Sequence, residues 1–171
     1  MSVLVLVDGR SGSGKTQFAA ALHAAWPGSR LLRLDDVYPG WAGLDRAAAA
    51  VGRLARDPSW REWDWAADRP GRRRRLPARG PLIVEGVGAI TPHSRRMATL
   101  GIWVELEEAE RRRRVLERDG TSWIDRWEDW ARLESRHERR DAPRRLADLV
   151  IRGREVEANV PRVLARITRR R

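Results

Sequence analysis

A three-layer α/β fold, with a parallel sheet of about five strands and helices on both faces, is what the sequence predicts. Three observations carry that expectation. Val3-Leu4-Val5-Leu6-Val7 is an unbroken apolar run, the mark of a strand buried on both faces of a parallel sheet. Short apolar runs then alternate with helical patterns along the chain, the order that builds βαβ units. A glycine-rich turn joins the first run to the first helical pattern.

The elements follow in order. The first strand ends at Asp8-Gly9, and the next segment places Phe18, Ala21, Leu22 and Ala25 on one helical face until Pro27-Gly28 stops it. Leu31-Leu32-Arg33-Leu34 is a short second strand, and an alanine-rich helix is expected from Leu44 to Arg56. Pro81 to Gly86 reads as a third strand and its turn. Thr91-Pro92 starts a helix, with threonine as cap and proline at the first position. Gly101 to Leu106 is a fourth strand and Ala147 to Ile151 a fifth. Two arginine-rich helices, about 107–118 and 123–139, lie between them; Ser122 and Asp125 open the second at capping-box spacing. Asn159 and Pro161 begin a last helix whose apolar face is Val160, Val163, Leu164 and Ile167. The most linker-like stretch, Arg69 to Arg79, reads as a basic loop inside a single domain spanning 1–171.

Composition narrows the class. The 171 residues are 42% hydrophobic and 35% charged, which argues against a membrane span and against wholesale disorder. There is no cysteine, hence no disulfide framework and no thiolate chemistry. No secretory pattern opens the chain, so a cytoplasmic location is expected. The net charge of +11 first suggests nucleic acid, but 34 of the 35 basic residues are arginine. With abundant alanine, glycine and nine tryptophans, that looks like the codon bias of a GC-rich genome and weakens the nucleic-acid reading. It also singles out the one lysine, Lys15.

Gly9-Arg10-Ser11-Gly12-Ser13-Gly14-Lys15-Thr16 matches G-x-x-x-x-G-K-[ST] at every defined position. The glycines let the chain wrap a phosphate with backbone N–H groups pointing inward, and the following helix N-terminus adds its dipole. Lys15 reaches the β/γ-phosphates and the Thr16 hydroxyl ligates Mg²⁺. The motif follows a buried strand and opens a helix, as the mechanism requires. The expected fold is therefore that of a P-loop NTPase, with ATP and Mg²⁺ held by Gly9, Ser11, Gly12, Ser13, Gly14, Lys15, Thr16 and Gln17.

Ligands of open parallel sheets sit outside the carboxyl ends of the strands. Asp35-Asp36-Val37-Tyr38 follows the second strand and Glu85-Gly86 the third. Their carboxylates should face the P-loop, one as base or Mg²⁺ partner and the other near the metal, although an Asp-Asp pair also suits a simple turn.

At these residues the chain resembles the uridine kinase and phosphoribulokinase-like branch of P-loop kinases. The loop is similar to that family's G-x-S-G-S-G-K-T. Asp35-Asp36-Val37-Tyr38 resembles its D-S-F-Y segment, which implies Asp35 as catalytic base and Tyr38 on the substrate side, with Asp36 beside them. Trp63-Asp64-Trp65 resembles F-D-H-P, which implies that Asp64 holds acceptor hydroxyls. Leu82 to Gly86 is similar to the V-E-G strand end, implying Glu85 near Mg²⁺. Glu110 to Asp119 resembles the arginine-bearing lid, here about 107–122, and Ala147 to Ile151 the last strand. Trp65 and Ala66 replace the family's His and Pro, and Val37 replaces Phe. The chain is also shorter than typical uridine kinases, and the missing length is expected at their substrate-covering hairpin.

Helical spacing puts Arg111, Arg114 and Arg118 on one side of the lid helix, and Arg114 and Arg118 are the candidates for the transferring phosphate. Arg152 and Gly153, after the last strand, are expected beside the adenine. Trp123, Trp127 and Trp130 recur at core-facing spacing. Trp41, Trp60, Trp63 and Trp65 suit either a stacking surface for a planar substrate or a loop seal. His23, His93 and His137 read as helix-surface residues, and Arg72 to Arg75 as a solvated loop. The sequence thus predicts a kinase acting on a hydroxyl of a small, nucleoside-like acceptor. The rivals are a nucleoside monophosphate or other metabolite kinase, and an ATP-binding nucleic-acid-binding or switch protein.

Overall fold

Leu4–Asp8 forms β1, the middle strand of the sheet in the computed structural model, which describes residues 3–120 and 124–169. The capping box expected at Ser122 and Asp125, and Trp123 with it, lies outside the described residues and side chains. Helix α1 spans Lys15–Ala24, β2 Arg30–Arg33, α2 Leu44–Arg56, β3 Ser59–Asp64 and β4 Arg69–Arg75. Beyond them come β5 (Leu82–Glu85), α3 (Pro92–Met97), β6 (Leu100–Glu105), α4 (Glu108–Asp119), α5 (Ile124–Asp141), α6 (Pro143–Leu146), β7 (Leu149–Arg152) and α7 (Val160–Arg169). The main sheet has the order β2-β5-β1-β6-β7 and every pairing in it is parallel.

The period of two along the strands sorts the core into two layers. Leu4 and Leu6 of β1, with Leu32 and Val84, pack against Leu44, Val51 and Leu54 of α2 and Trp130 of α5. Val5 and Val7, with Ile83, Ile102 and Val104, pack on the other face against Phe18 and Leu22 of α1 and Val163 and Ile167 of α7. Each such side chain contributes about 1.5–3 kcal/mol of burial free energy, which is why a run apolar at every position sits in the middle of the sheet. The start of α3 follows its sequence: Thr91 accepts from the Ser94 amide at 3.1 Å and Ser94 Oγ accepts from the Thr91 amide at 2.9 Å. Among the described residues no helix is long and apolar enough to cross a membrane.

Two expectations are corrected. Arg69 to Arg79 is not simply a basic loop, because Arg69–Arg75 is β4 and pairs antiparallel with β3. A hairpin therefore exists where missing length was expected. Four consecutive arginines carry no apolar alternation to announce a strand; the partner strand supplies the packing, with Trp60 against the α2 layer and Trp63 against Gly40.

The second correction is His137. His23 and His93 are exposed, as expected, but His137 is only 1% exposed. Its Nδ1 lies 2.8 Å from the Asp141 carboxylate and its Nε2 3.7 Å from that of Asp8. Burial pushes the imidazolium down, but the two carboxylates outweigh it and hold the pKa above the usual histidine value. A raised folded-state pKa gives stability that is full below the unfolded value of about 6.5 and lost as pH rises through the folded one. His137→Asn is thus expected to lower the melting temperature more at pH 6 than at pH 9. Equal losses at both values in a melting series would reduce His137 to packing.

Candidate active site

The loop Gly9–Thr16 joins β1 to α1, and the structure holds it from three sides. Gly12 has φ 78°, and a Cβ there would stand 2.4 Å from the Arg111 carbonyl oxygen. A Cβ on Gly153 would stand 1.9 Å from the Ser13 carbonyl oxygen. Only glycine fits either position, so the start of α4 and the end of β7 both press on the loop. Lys15 opens α1, which directs the helix N-terminus at the phosphate cradle.

The third support is α5. Glu134, 1% exposed, accepts from the Ser11 amide at 2.7 Å and from Arg10 Nε at 3.1 Å. Trp130 Nε1 donates to Ser11 Oγ at 2.9 Å and to Glu134 at 3.1 Å. Asp8, fully buried, accepts from the amides of Gly9, Gly88 and Ile90. Glu134→Ala would leave the Ser11 amide without its acceptor and Arg10 with Glu138 as its remaining carboxylate, and is expected to remove about 3 kcal/mol of stability. Urea denaturation measures this; a loss of only about 0.5 kcal/mol, the scale of a surface substitution, would show that α5 does not hold the loop.

The strand ends bring the carboxylates together as the topology predicts. Asp35 lies in a 3-10 turn after β2. Glu85 ends β5, accepts from Thr16 Oγ1 at 3.3 Å, and leaves its Oε1 buried with no hydrogen-bond partner among the described residues. Burial, reinforced by Asp35, raises the Glu85 pKa to about 7 against the opposing pull of Lys15 and Thr16. A hydroxyl, a buried carboxylate with an orphaned oxygen and a second carboxylate nearby fit Mg²⁺, which takes one or two carboxylates and completes its shell with phosphate and water oxygens. Among the described residues no three His, Cys, Asp or Glu side chains form a larger cluster that would hold a metal.

Two cavities meet at the loop. One, of about 640 Å³, lies between the loop with Gln17 and the lid residues Arg114 and Arg118. The other, of about 400 Å³, is walled by Asp35, Tyr38, Trp41, Trp65, Asp119 and Trp130. Gly12, Lys15, Thr16 and Arg118 line both. Trp41 stands edge-to-face on Trp65 at 5.1 Å and on Trp130 at 6.3 Å.

The individual placements differ in instructive ways. Arg114 donates to the Gly153 carbonyl at 3.2 Å and pairs with Glu110, while Arg118 pairs with Asp119 at 2.6 Å. Arg111, on the same side, is 4% exposed and donates to the Ser11 carbonyl at 3.1 Å, so it braces the loop. Tyr38 is buried, with its hydroxyl donating to the Val87 carbonyl at 2.8 Å, and offers the cavity a ring rather than a hydroxyl. Asp36 lies beside Glu62 and Arg74 of the hairpin and outside both cavities; burial, then Asp35, raises its pKa.

Asp64 accepts from the Ala67 amide at 3.1 Å in the hairpin turn and lines neither cavity. Its neighbour Trp65 takes that place, donating from Nε1 to the Asp35 carbonyl at 3.3 Å. Arg152 is exposed and also lines neither cavity, whereas Gly153 touches the loop. Arg111 lies on the side of the lid helix that its spacing indicates, but as a brace for the loop, whereas Glu134 and the pocket-facing edge of Trp130 escaped sequence reasoning. The signal was a polar stripe at helical spacing on α5, Trp130, Glu134, His137 and Asp141, on the face that carries Trp127 and Trp130.

Fold and site together define a three-layer α/β protein of the P-loop kinase fold. No family model matches the chain, and no curated protein matches it. Solved structures do. A possible uridine kinase from Bacillus stearothermophilus superimposes with a TM-score of 0.58 at 16% identity, over 88% of each chain. Shikimate kinase from Acinetobacter baumannii, in complex with shikimate, gives 0.59 at 14% identity over 99% of this chain and 94% of its own. An uncharacterized protein from Eubacterium ventriosum gives 0.58 at 12% identity over 98% and 99%.

Proposed function

We propose that the protein is an ATP-dependent phosphotransferase that moves the γ-phosphoryl group to a hydroxyl of a small molecule, with a nucleoside-like acceptor favoured. One observation carries this reading: two cavities, one under the lid arginines and one walled by aromatic rings and Asp35, join at Lys15, Thr16 and Arg118. That junction is where a phosphoryl group passes between donor and acceptor. Two of the structural neighbours are described as kinases, which supports a phosphotransferase.

In this reading the loop amides and Lys15 hold the β- and γ-phosphates, and Arg114 and Arg118 counter the charge that spreads over the transferred group. Asp35 accepts the proton of the acceptor hydroxyl as its oxygen bonds to phosphorus and the bond to the β-phosphate oxygen breaks. Thr16 and Glu85, with Asp35 nearby, would hold Mg²⁺, whose chemistry is to shield the phosphate oxygens. Trp41, Trp65 and Trp130 offer edges and faces to a flat acceptor and exclude water from it. The cations among this cavity's lining residues, Lys15 and Arg118, sit at the junction with the donor cavity. That distribution favours an unphosphorylated acceptor over a nucleoside monophosphate.

Incubation with γ-labelled ATP and a panel of nucleosides, nucleotides, sugars and antibiotics tests the proposal. Label on an unphosphorylated nucleoside-like hydroxyl is the expected result. Label only on nucleotides would move the protein to the monophosphate kinases, and ATP binding without transfer to any compound would overturn the phosphotransferase reading.

A further inference from the structure

A cleft of about 360 Å³ lies between the C-terminal end of α2 and the β3–β4 hairpin, and it shares no residue with either cavity at the P-loop. Five arginines line it: Arg53 from α2, Arg61 from β3, and Arg73, Arg74 and Arg75 from β4. Arg53 is aimed by its own hydrogen bond, Nη1 donating to the Ser59 carbonyl at 2.9 Å. Arg74 is matched by Glu62 at 2.9 Å and Arg75 by Asp57 at 3.1 Å. Arg61 and Arg73 have no acidic partner among the described residues, and the ladder register sets them directly opposite one another.

Like charges directly opposite on neighbouring strands are destabilising. A merely solvated arginine run would leave its guanidinium groups to spread apart. Here all five border one concavity, with Arg61 and Arg73 paired across the ladder. Guanidinium forks pair bidentately with phosphate oxygens, and an anion between Arg61 and Arg73 would turn a repulsive pair into a clamp. We propose that this cleft is a second anion site, separate from the P-loop, that takes a ligand bearing two or more linked phosphate groups. The hairpin it clamps also leads to Trp65 on the acceptor cavity, so occupancy would steady that wall.

The test uses the full chain carrying Lys15→Met, which removes the P-loop cation from the competing site. Calorimetric titration with sodium tripolyphosphate at near-physiological salt is expected to show saturable binding. Arg61→Ser with Arg73→Ser should weaken it by about tenfold or more. Arg162→Ser with Arg169→Ser removes the same charge from the exposed side of α7 and should leave it nearly unchanged. Arg61→Lys with Arg73→Lys, which keeps the charge and loses the fork, should also weaken it. A twelve-residue oligothymidylate is the second arm. Binding tighter than tripolyphosphate with a steep salt dependence assigns the phosphates to a nucleic-acid backbone; weaker binding assigns them to a free polyphosphorylated compound. The serine pair should melt no lower than its parent without ligand, since it removes a like-charge pair. No saturable tripolyphosphate binding, or equal weakening in the α7 control, would overturn the site.

Discussion

Lys15→Arg is expected to slow single-turnover phosphoryl transfer by about a hundredfold while leaving the melting temperature close to that of the parent. The substitution conserves charge, and elsewhere this chain uses arginine for every basic residue. A purely electrostatic role would therefore tolerate it. The site fixes the head group: Lys15 is 7% exposed, and its ammonium acts on the buried carboxylate of Glu85. A planar guanidinium is wider than an ammonium and prefers a fork geometry. It would press on the loop already fixed by Arg111 and Gly153 and shift the β- and γ-phosphates by about 1 Å, an error of the kind that costs a hundredfold in rate. The core layers do not depend on the lysine head group, so melting without nucleotide should change little and the stabilisation by Mg²⁺–ATP should shrink. Transfer at the parental rate with normal melting would remove Lys15 from its proposed role.

What the sequence reveals and what it hides divide along a physical line. Helix α2 and the α3 cap come out at the residues expected because their signals are local: an amphipathic period, and Thr91, Pro92 and Ser94 within one turn. The P-loop is legible for the same reason, its geometry being enforced by glycines adjacent in the chain. The carboxylates of Asp35 and Glu85 follow at one remove, since parallel topology brings every strand end to one edge.

The rest rests on contacts that no local pattern encodes. Nothing near His137 announces that Asp8 stands beside it, and nothing in Arg72 to Arg75 announces a strand, because Trp60 and Trp63 on the partner strand do the packing. Asp64 shows the limit of a matched motif. The motif match points to the acceptor, but the side chain is taken by the Ala67 amide, and Trp65, where the resembled family has histidine, turns to the cavity instead. The α5 stripe joins the two halves of the site. Through Trp130 and Glu134 the helix that walls the cavity of about 400 Å³ is hydrogen-bonded to the third residue of the P-loop, so one helix braces both the cavity and the loop.

Asp35→Asn is expected to lower phosphoryl transfer by about a hundredfold or more, the usual scale for losing a general base, while Mg²⁺–ATP binding persists. Asp35 lines the cavity that the proposal gives to the acceptor, just after the edge strand β2 and across the junction from Lys15. Its backbone carbonyl is held by Trp65, so the amide variant should keep the turn and lose only the capacity to accept a proton. Glu85 cannot replace it there: it is buried, hydrogen-bonded to Thr16, and does not line that cavity. Asp36 is turned to Glu62 and Arg74. The measurement pairs single-turnover transfer to whichever acceptor the panel identifies with nucleotide affinity from fluorescence of the nearby tryptophans. A rate loss with unchanged affinity assigns proton acceptance to Asp35. Parallel losses of rate and of Mg²⁺–ATP affinity would place it on the metal instead, and an unchanged rate would remove it from the chemistry altogether.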